Sequence, residues 1–307
     1  MGRARELRDL VAALDEAGDG RGRLVLLSGE PGIGKTRLMQ EVARQAADRG
    51  WQVAAGRCWE EGGAPAYWPW IQAVRALGGD FERLAAGAGG SVDPETVRFR
   101  VFDAAAEFLV DVARRRPLVV ALDDLHAADA PSLVLLRFVS ERVAEAPVLV
   151  VGSYREHDMQ QHEQPELFAE LVRVASRVSL RGLATDDVHA YLVAVTGEEP
   201  APAAAERLHT LTGGNPFFLG EVVRLVAADD LHTADAVVDR ARRLPEEVRT
   251  LLRRRMAGLS DDAVRALSVA AVVGREFGLG VLQPTSQLSV SRLLDVLAEA
   301  EIGRAHV

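Results

Sequence analysis

The stretch Gly-Glu-Pro-Gly-Ile-Gly-Lys-Thr occupies residues 29–36, where a glycine and four further residues precede Gly-Lys-Thr. This spacing is typical of a loop whose backbone N–H groups bind phosphate. Before it, the apolar residues 24–27 predict a strand that is buried on both faces. After it, apolar residues from Leu38 to Ala46 recur at helical spacing until Gly50. A strand, a glycine-rich turn and a helix in this order predict a phosphate-binding site, with an accidental glycine-rich turn as the alternative.

The loop supplies most of the candidate nucleotide-binding residues. Lys35 is predicted to reach the β- and γ-phosphates of a nucleotide, and the Thr36 hydroxyl is predicted to bind Mg²⁺. Lys35 is also the single lysine among 36 basic residues, and all the others are arginines. A position that keeps lysine in such a chain indicates a need for a compact ammonium group. The residues predicted to bind nucleotide in this loop are Gly29, Gly32, Ile33, Gly34, Lys35, Thr36 and Arg37.

A second buried strand is predicted at residues 118–122, and it ends in Asp123 and Asp124. Acidic residues at the carboxyl end of a parallel strand lie in the same crevice as a phosphate loop. Asp123 is therefore predicted to hold Mg²⁺ together with Thr36, and Asp124 to orient or deprotonate the attacking water. An acidic pair that only forms a turn is the alternative interpretation.

A third strand is predicted at residues 148–151, followed by Gly-Ser-Tyr and then Arg155. An arginine at this strand end is predicted to sense the γ-phosphate through a bidentate contact. The alternative is a surface ion pair between Arg155 and a carboxylate such as Glu156 or Asp158. The candidate catalytic residues are thus Lys35, Asp124 and Arg155.

Composition narrows the class of protein. A length of 307 residues predicts about two domains, and 48% apolar residues are enough to form a core. The net charge of −9 disfavours direct nucleic-acid binding, because an acidic chain repels phosphate backbones. Cys58 is the single cysteine and so excludes an intramolecular disulfide. Without an apolar run long enough for a bilayer and without a secretory signal, the sequence predicts a cytoplasmic protein that does not bind membranes.

Six motifs in register resemble the signal-transducing ATPases with numerous domains (STAND), of the origin-recognition-like AAA type found in large LuxR-type transcriptional regulators. The motifs are an entry helix, the phosphate loop, an acidic strand end, a sensor strand, a Gly-x-Pro lid motif and a winged-helix segment. They lie at residues 2–7, 29–36, 122–126, 152–155, 213–218 and 244–277.

This resemblance implies an α/β P-loop NTPase domain with a five-stranded parallel sheet at residues 1–182. It further implies a helical lid at residues 183–243, whose Pro216 packs on the adenine, and a winged-helix segment at residues 244–307. The sequence departs from fast AAA motors, since Asp124 is followed by Leu125 and there is no Asp-Glu pair. A shorter aspartate at the position of the base suits slow turnover.

Two segments of the chain are predicted as loops. Residues 84–91 are rich in glycine and alanine, and residues 156–164 are polar and poor in helix formers.

Residues 301–307 match one translated frame of a common sequencing adapter. We therefore expect the native protein to continue past residue 300, with its sensor and effector domains outside this chain.

The motifs together predict a slow ATP/ADP switch that uses Mg²⁺ and self-associates on activation. One alternative is an AAA-type initiator or remodelling ATPase that binds DNA through its winged helix. A second is a fragment that folds as a scaffold without useful turnover.

Overall fold

The computed structural model describes residues 2–59, 63–87, 93–160, 162, 164–197, 199–200, 202–226, 259–273, 283, 286 and 288–296. The chain divides into two units. Residues 3–181 form the first unit, and residues 182–307 with Gly2 form the second. The division into an ATPase domain, a lid and a winged-helix segment at the predicted boundaries stays a prediction.

The first unit is built on a sheet of five parallel strands, which confirms the predicted α/β fold class. The strands are β1 (Arg23–Ser28), β2 (Gln52–Arg57), β3 (Leu118–Asp123), β4 (Val148–Tyr154) and β5 (Ser176–Ser179). Their spatial order is β2-β3-β4-β1-β5, so β1 lies between β4 and β5. The phosphate loop therefore leaves the sheet beside the end of β4.

Helices cover both faces of this sheet. They are α1 (Ala4–Gly18), α2 (Lys35–Asp48), α3 (Trp68–Ala76), α4 (Phe81–Gly87), α5 (Pro94–Arg115), α6 (Ala130–Arg142), α7 (Glu156–Gln160) and α8 (Pro165–Val174). Along β1, Leu24 and Leu26 pack into the cluster that contains Leu109 of α5. Val25 and Leu27 point the other way and pack with α1 and α2. Because alternate residues are buried on opposite faces, the central strands are apolar throughout.

Two of the predicted loops contain short helices, and those predictions are wrong over the helical residues. Helix α4 covers residues 84–87, while residues 88–91 lie outside the described residues. Helix α7 covers Glu156–Gln160 of the segment predicted as a loop. Phe81 of α4 and Met159 of α7 are buried in the core, and Leu84 and Ala85 of α4 pack against it. These tertiary contacts stabilise helices that are too short to form by propensity alone.

The aromatic segment after β2 contains one buried and one exposed tryptophan. Trp70 lies in α3, is fully buried, and donates a hydrogen bond from Nε1 to the backbone oxygen of Ser132 at 3.1 Å. Trp59, by contrast, is 53% exposed. Residues 60–62 lie outside the described residues.

The second unit is helical where the structure describes it. It contains α9 (Thr185–Thr196), α10 (Pro202–Thr212), α11 (Pro216–Val226) and α12 (Asp261–Val273), and residues 290–296 are also helical. Leu192, Leu208 and Leu219 join the first three helices in one apolar cluster. The predicted lid residues 227–243 lie outside the described residues, as do residues 244–258, 274–282 and 297–307. The winged-helix segment therefore stays a prediction.

Among the residues that the structure describes, no helix has both the length and the apolar character needed to cross a membrane.

Candidate functional site

The phosphate loop connects β1 to α2 through a backbone that only glycine adopts without strain. Gly29 has a φ of 146° and Gly34 a φ of 105°, both in the left-handed half of conformational space. A Cβ atom at Gly29 would lie 2.7 Å from the backbone oxygen of Leu180, whereas the space beside Gly34 is open. Helix α2 begins at Lys35 without a side-chain cap. Its first N–H groups have no acceptor within the helix, and such a terminus suits an anion.

The Lys35 side chain folds back over this loop. It is only 7% exposed, and its Nζ donates hydrogen bonds to the backbone oxygens of Gly29 at 2.6 Å and Glu30 at 2.8 Å. Burial and then the positive charge of Arg155 lower the pKa of Lys35 from 10.5 to about 8. The carboxylates of Asp123 and Asp124 act in the opposite direction. Lys35 therefore lies in a buried site that bound anionic phosphate would make more favourable for its charge.

Thr36 and Asp123 meet at the start of α2 and the end of β3. The Thr36 hydroxyl donates a hydrogen bond to Oδ2 of Asp123 at 2.8 Å. A hydroxyl beside a carboxylate provides two oxygen ligands of the kind that Mg²⁺ takes from a protein when phosphates and water supply the rest. Among the described residues, no three His, Cys, Asp or Glu side chains group as a metal site. Two protein oxygens from Thr36 and Asp123 fit a magnesium ion whose other ligands come from phosphates and water.

Asp124 is held by an arginine that the sequence analysis missed. Both Nε and Nη2 of Arg57 contact Oδ2 of Asp124, at 2.9 Å and 2.8 Å. Asp124 has a left-handed backbone, with a φ of 60°, and its side chain is 8% exposed against 68% for Arg57. Arg57 is the last residue of β2 and pairs with Asp123 across the sheet. The sequence signal that could have indicated Arg57 is its position at the carboxyl end of a strand next to β3, because side chains there enter the same crevice as the acidic residues.

Arg155 follows β4 and already has a carboxylate partner. Its Nη1 lies 3.3 Å from Oδ2 of Asp158, the same oxygen that lies 3.6 Å from Nε2 of His126. This is the surface ion pair that the sequence analysis gave as the alternative. Because Arg155 also lowers the pKa of Lys35, its charge acts within the phosphate loop. The contact between Arg155 and a γ-phosphate stays a prediction.

The entry motif contacts the phosphate loop, because Arg3 donates to the backbone oxygen of Ile33 at 2.9 Å and pairs with Glu6 at 3.2 Å. The remaining predicted site residues lie in different places. Ile33 is buried, and Arg37 is exposed on α2. Pro216 is the first residue of α11, in the second unit. Its contact with adenine stays a prediction.

The chain is similar to a known family over its first half and to one curated protein. Residues 1–151 match the family model described as an AAA ATPase domain. The chain is also 27% identical over 268 residues to an uncharacterised protein of Rhizobium meliloti (strain 1021), an alignment that covers 74% of this chain and 25% of that protein. This chain thus spans about a quarter of the length of that relative.

Two solved structures share the fold. The ORC2 protein of Aeropyrum pernix, solved as ADPNP-ADP complexes, has a TM-score of 0.61 at 16% identity over 98% of this chain and 86% of that one. A RuvB mutant of Thermotoga maritima has a TM-score of 0.50 at 16% identity over 97% of this chain and 87% of that one. The family match and the fold together support an AAA-type P-loop ATPase.

Nucleotide affinity is expected to fall as the pH rises above 8, because phosphate binding requires the charged amine and free Lys35 loses its proton there. The dissociation constant of a fluorescent ADP analogue should rise by up to about tenfold per pH unit between pH 8 and pH 10. Isothermal titration calorimetry in buffers of different ionisation enthalpy should show proton uptake at pH 9. Lys35→Arg is the control, since its guanidinium stays charged. A flat curve for the wild type would contradict the shifted pKa.

Proposed function

We propose that this chain is a nucleotide-dependent switch that binds ATP, hydrolyses it slowly and retains ADP. The observation that carries the proposal is the ion pair between Arg57 and Asp124. At the end of β3, Asp123 is followed directly by Asp124, and the next residue, Leu125, is apolar. An arginine that already occupies an oxygen of the base competes with the attacking water for it, so slow turnover follows.

The binding chemistry rests on the phosphate loop. In the proposed complex, the N–H groups at the start of α2 bind phosphate oxygens. Lys35 leaves the backbone oxygens of Gly29 and Glu30 and donates to the β- and γ-phosphates instead. Thr36 and Asp123 hold a magnesium ion, which when bound neutralises charge on the phosphates. The hydrogen bond between Thr36 and Asp123 supports this role because it keeps two magnesium ligands adjacent.

In the proposed hydrolytic step, Asp124 exchanges its partner. Both contacts from Arg57 fall on Oδ2 of Asp124, so Arg57 competes with an attacking water for that oxygen. Release of Arg57 would let Asp124 orient or deprotonate that water. Arg155 would report the γ-phosphate by leaving Asp158, and Pro216 would report the nucleotide from the second unit. These two residues are the proposed link between phosphate state and domain arrangement.

The wider role is that of a regulatory module within a longer protein. The relative from Rhizobium meliloti is about four times as long as its matched part, which leaves room for sensor and output domains. By the resemblance to STAND regulators, the output is a LuxR-type transcription module, and activation involves self-association. The net charge of −9 disfavours a chain that itself binds DNA.

Steady-state phosphate release should be slow, below about 0.1 s⁻¹ and thus under the range of about 1–10³ s⁻¹ of typical enzymes. Release of a fluorescent ADP analogue, followed by stopped flow, should be equally slow, because a switch that remains in its ADP state turns over no faster than it releases ADP. Asp124→Asn should abolish phosphate release while nucleotide still binds. Fast turnover that rises with duplex DNA and falls steeply with salt would instead identify an initiator or remodelling ATPase.

Replacing Arg57 by alanine is expected to raise the rate of hydrolysis in a single turnover, measured with protein in excess over ATP, because Asp124 then loses its partner. The expected gain is about two- to fivefold, since ion pairs with one exposed member contribute up to about 1 kcal/mol. ADP affinity should change less than twofold. Arg114→Ala is the matched control, because Arg114 forms an exposed ion pair with Asp111 near the end of α5, which leads to the amino end of β3 and not to the carboxyl end that carries the site. A hydrolysis rate that falls in Arg57→Ala would show that Arg57 assists turnover.

A further inference from the structure

We propose that Ser153 of β4 is a positioning residue that sets the magnesium dependence of nucleotide binding through Asp123. The proposal rests on the proposed function, because it assumes that Asp123 holds magnesium beside a bound nucleotide. Ser153 would not touch the metal or the nucleotide. Its role would be to fix the orientation of the carboxylate that does.

The Ser153 hydroxyl forms hydrogen bonds with both acidic residues at the end of β3. It is fully buried, donates a hydrogen bond to Oδ1 of Asp123, and accepts one from the backbone N–H of Asp124 at 3.1 Å. A hydroxyl has one proton to donate and two lone pairs. Ser153 therefore uses its proton on the carboxylate and a lone pair on the turn that follows it.

The two oxygens of the Asp123 carboxylate have different hydrogen-bond partners. Oδ1 is occupied by Ser153, while Oδ2 accepts from the Thr36 hydroxyl at 2.8 Å. The carboxylate is thereby fixed with Oδ2 towards the start of α2, where the phosphate loop ends. Oxygen ligands that are held in this way by neighbouring hydrogen bonds bind metals more tightly than freely rotating ones.

Ser153 also supports the unusual backbone of Asp124. Asp124 has a left-handed backbone conformation, with a φ of 60° and a ψ of 44°, which residues other than glycine rarely adopt. The Asp124 N–H is buried and needs an acceptor, and the Ser153 hydroxyl provides it. One side chain from β4 thus holds both acidic residues at the end of β3.

The test is the magnesium dependence of binding for a fluorescent ADP analogue, measured in Ser153→Ala without any hydrolysis. In EDTA, the affinity of the variant should stay within about twofold of the wild type, because the phosphate loop is unchanged. The concentration of MgCl₂ that gives half of the magnesium-dependent signal should rise about tenfold or more, the usual cost of losing a partner of a metal ligand. An unchanged magnesium dependence in a folded variant would overturn the proposal.

Two further variants separate positioning from a structural effect. Ser28→Ala is the matched control, because Ser28 is a buried serine at the end of β1 whose hydroxyl donates to Ser179. It should leave the magnesium dependence unchanged. Asp123→Asn removes the proposed metal ligand, and adding Ser153→Ala to it should then have little further effect on the magnesium dependence. Independent, additive effects would show that Ser153 does not act through Asp123.

If Ser153→Ala does not fold, Ser153→Cys keeps a side chain of similar shape with a weaker donor. It should give a smaller shift in the same direction, and no shift would again overturn the proposal. Failure of the proposed function is a distinct result. In that case the wild type itself would not bind the ADP analogue, with or without MgCl₂.

Discussion

Parallel pairing of neighbouring strands is the constraint on which the candidate site depends. Because β2, β3, β4 and β1 all run in the same direction, their carboxyl ends meet at one edge of the sheet. That edge receives Arg57, the acidic pair, Ser153 with Arg155, and the phosphate loop. None of these groups is near another in sequence, and a reversed strand would move its contribution to the opposite edge. The site is therefore a direct consequence of the sheet topology.

Charge balance explains how this edge tolerates buried ionisable groups. Lys35 is nearly buried, and its ammonium is stabilised by loop backbone oxygens and by nearby carboxylates. Asp124 is balanced by Arg57, and Arg155 by Asp158. A buried charge without such partners would be costly. A polyphosphate with its metal ion would change the partners of several of these groups at once, which is the behaviour expected of a switch.

The parts of the site that were predictable from sequence are those with a local physical requirement. A phosphate loop needs glycines and a lysine at fixed spacing, and buried parallel strands need continuous apolar runs, so both were identified from short windows. Arg57 was missed because its partner is 67 residues away and because 35 of the 36 basic residues are arginines. Helices α4 and α7 were missed because tertiary contacts with the core, such as those of Phe81 and Met159, stabilise them.

The proposed switch retains ADP while it awaits a signal. Denaturing freshly purified protein and identifying the released nucleotide by chromatography tests this retention, with Lys35→Ala as the control. We expect nearly one ADP per wild-type chain and none in the variant. Folded wild type without nucleotide, or equal amounts of nucleotide in the two proteins, would show that the chain is not such a switch.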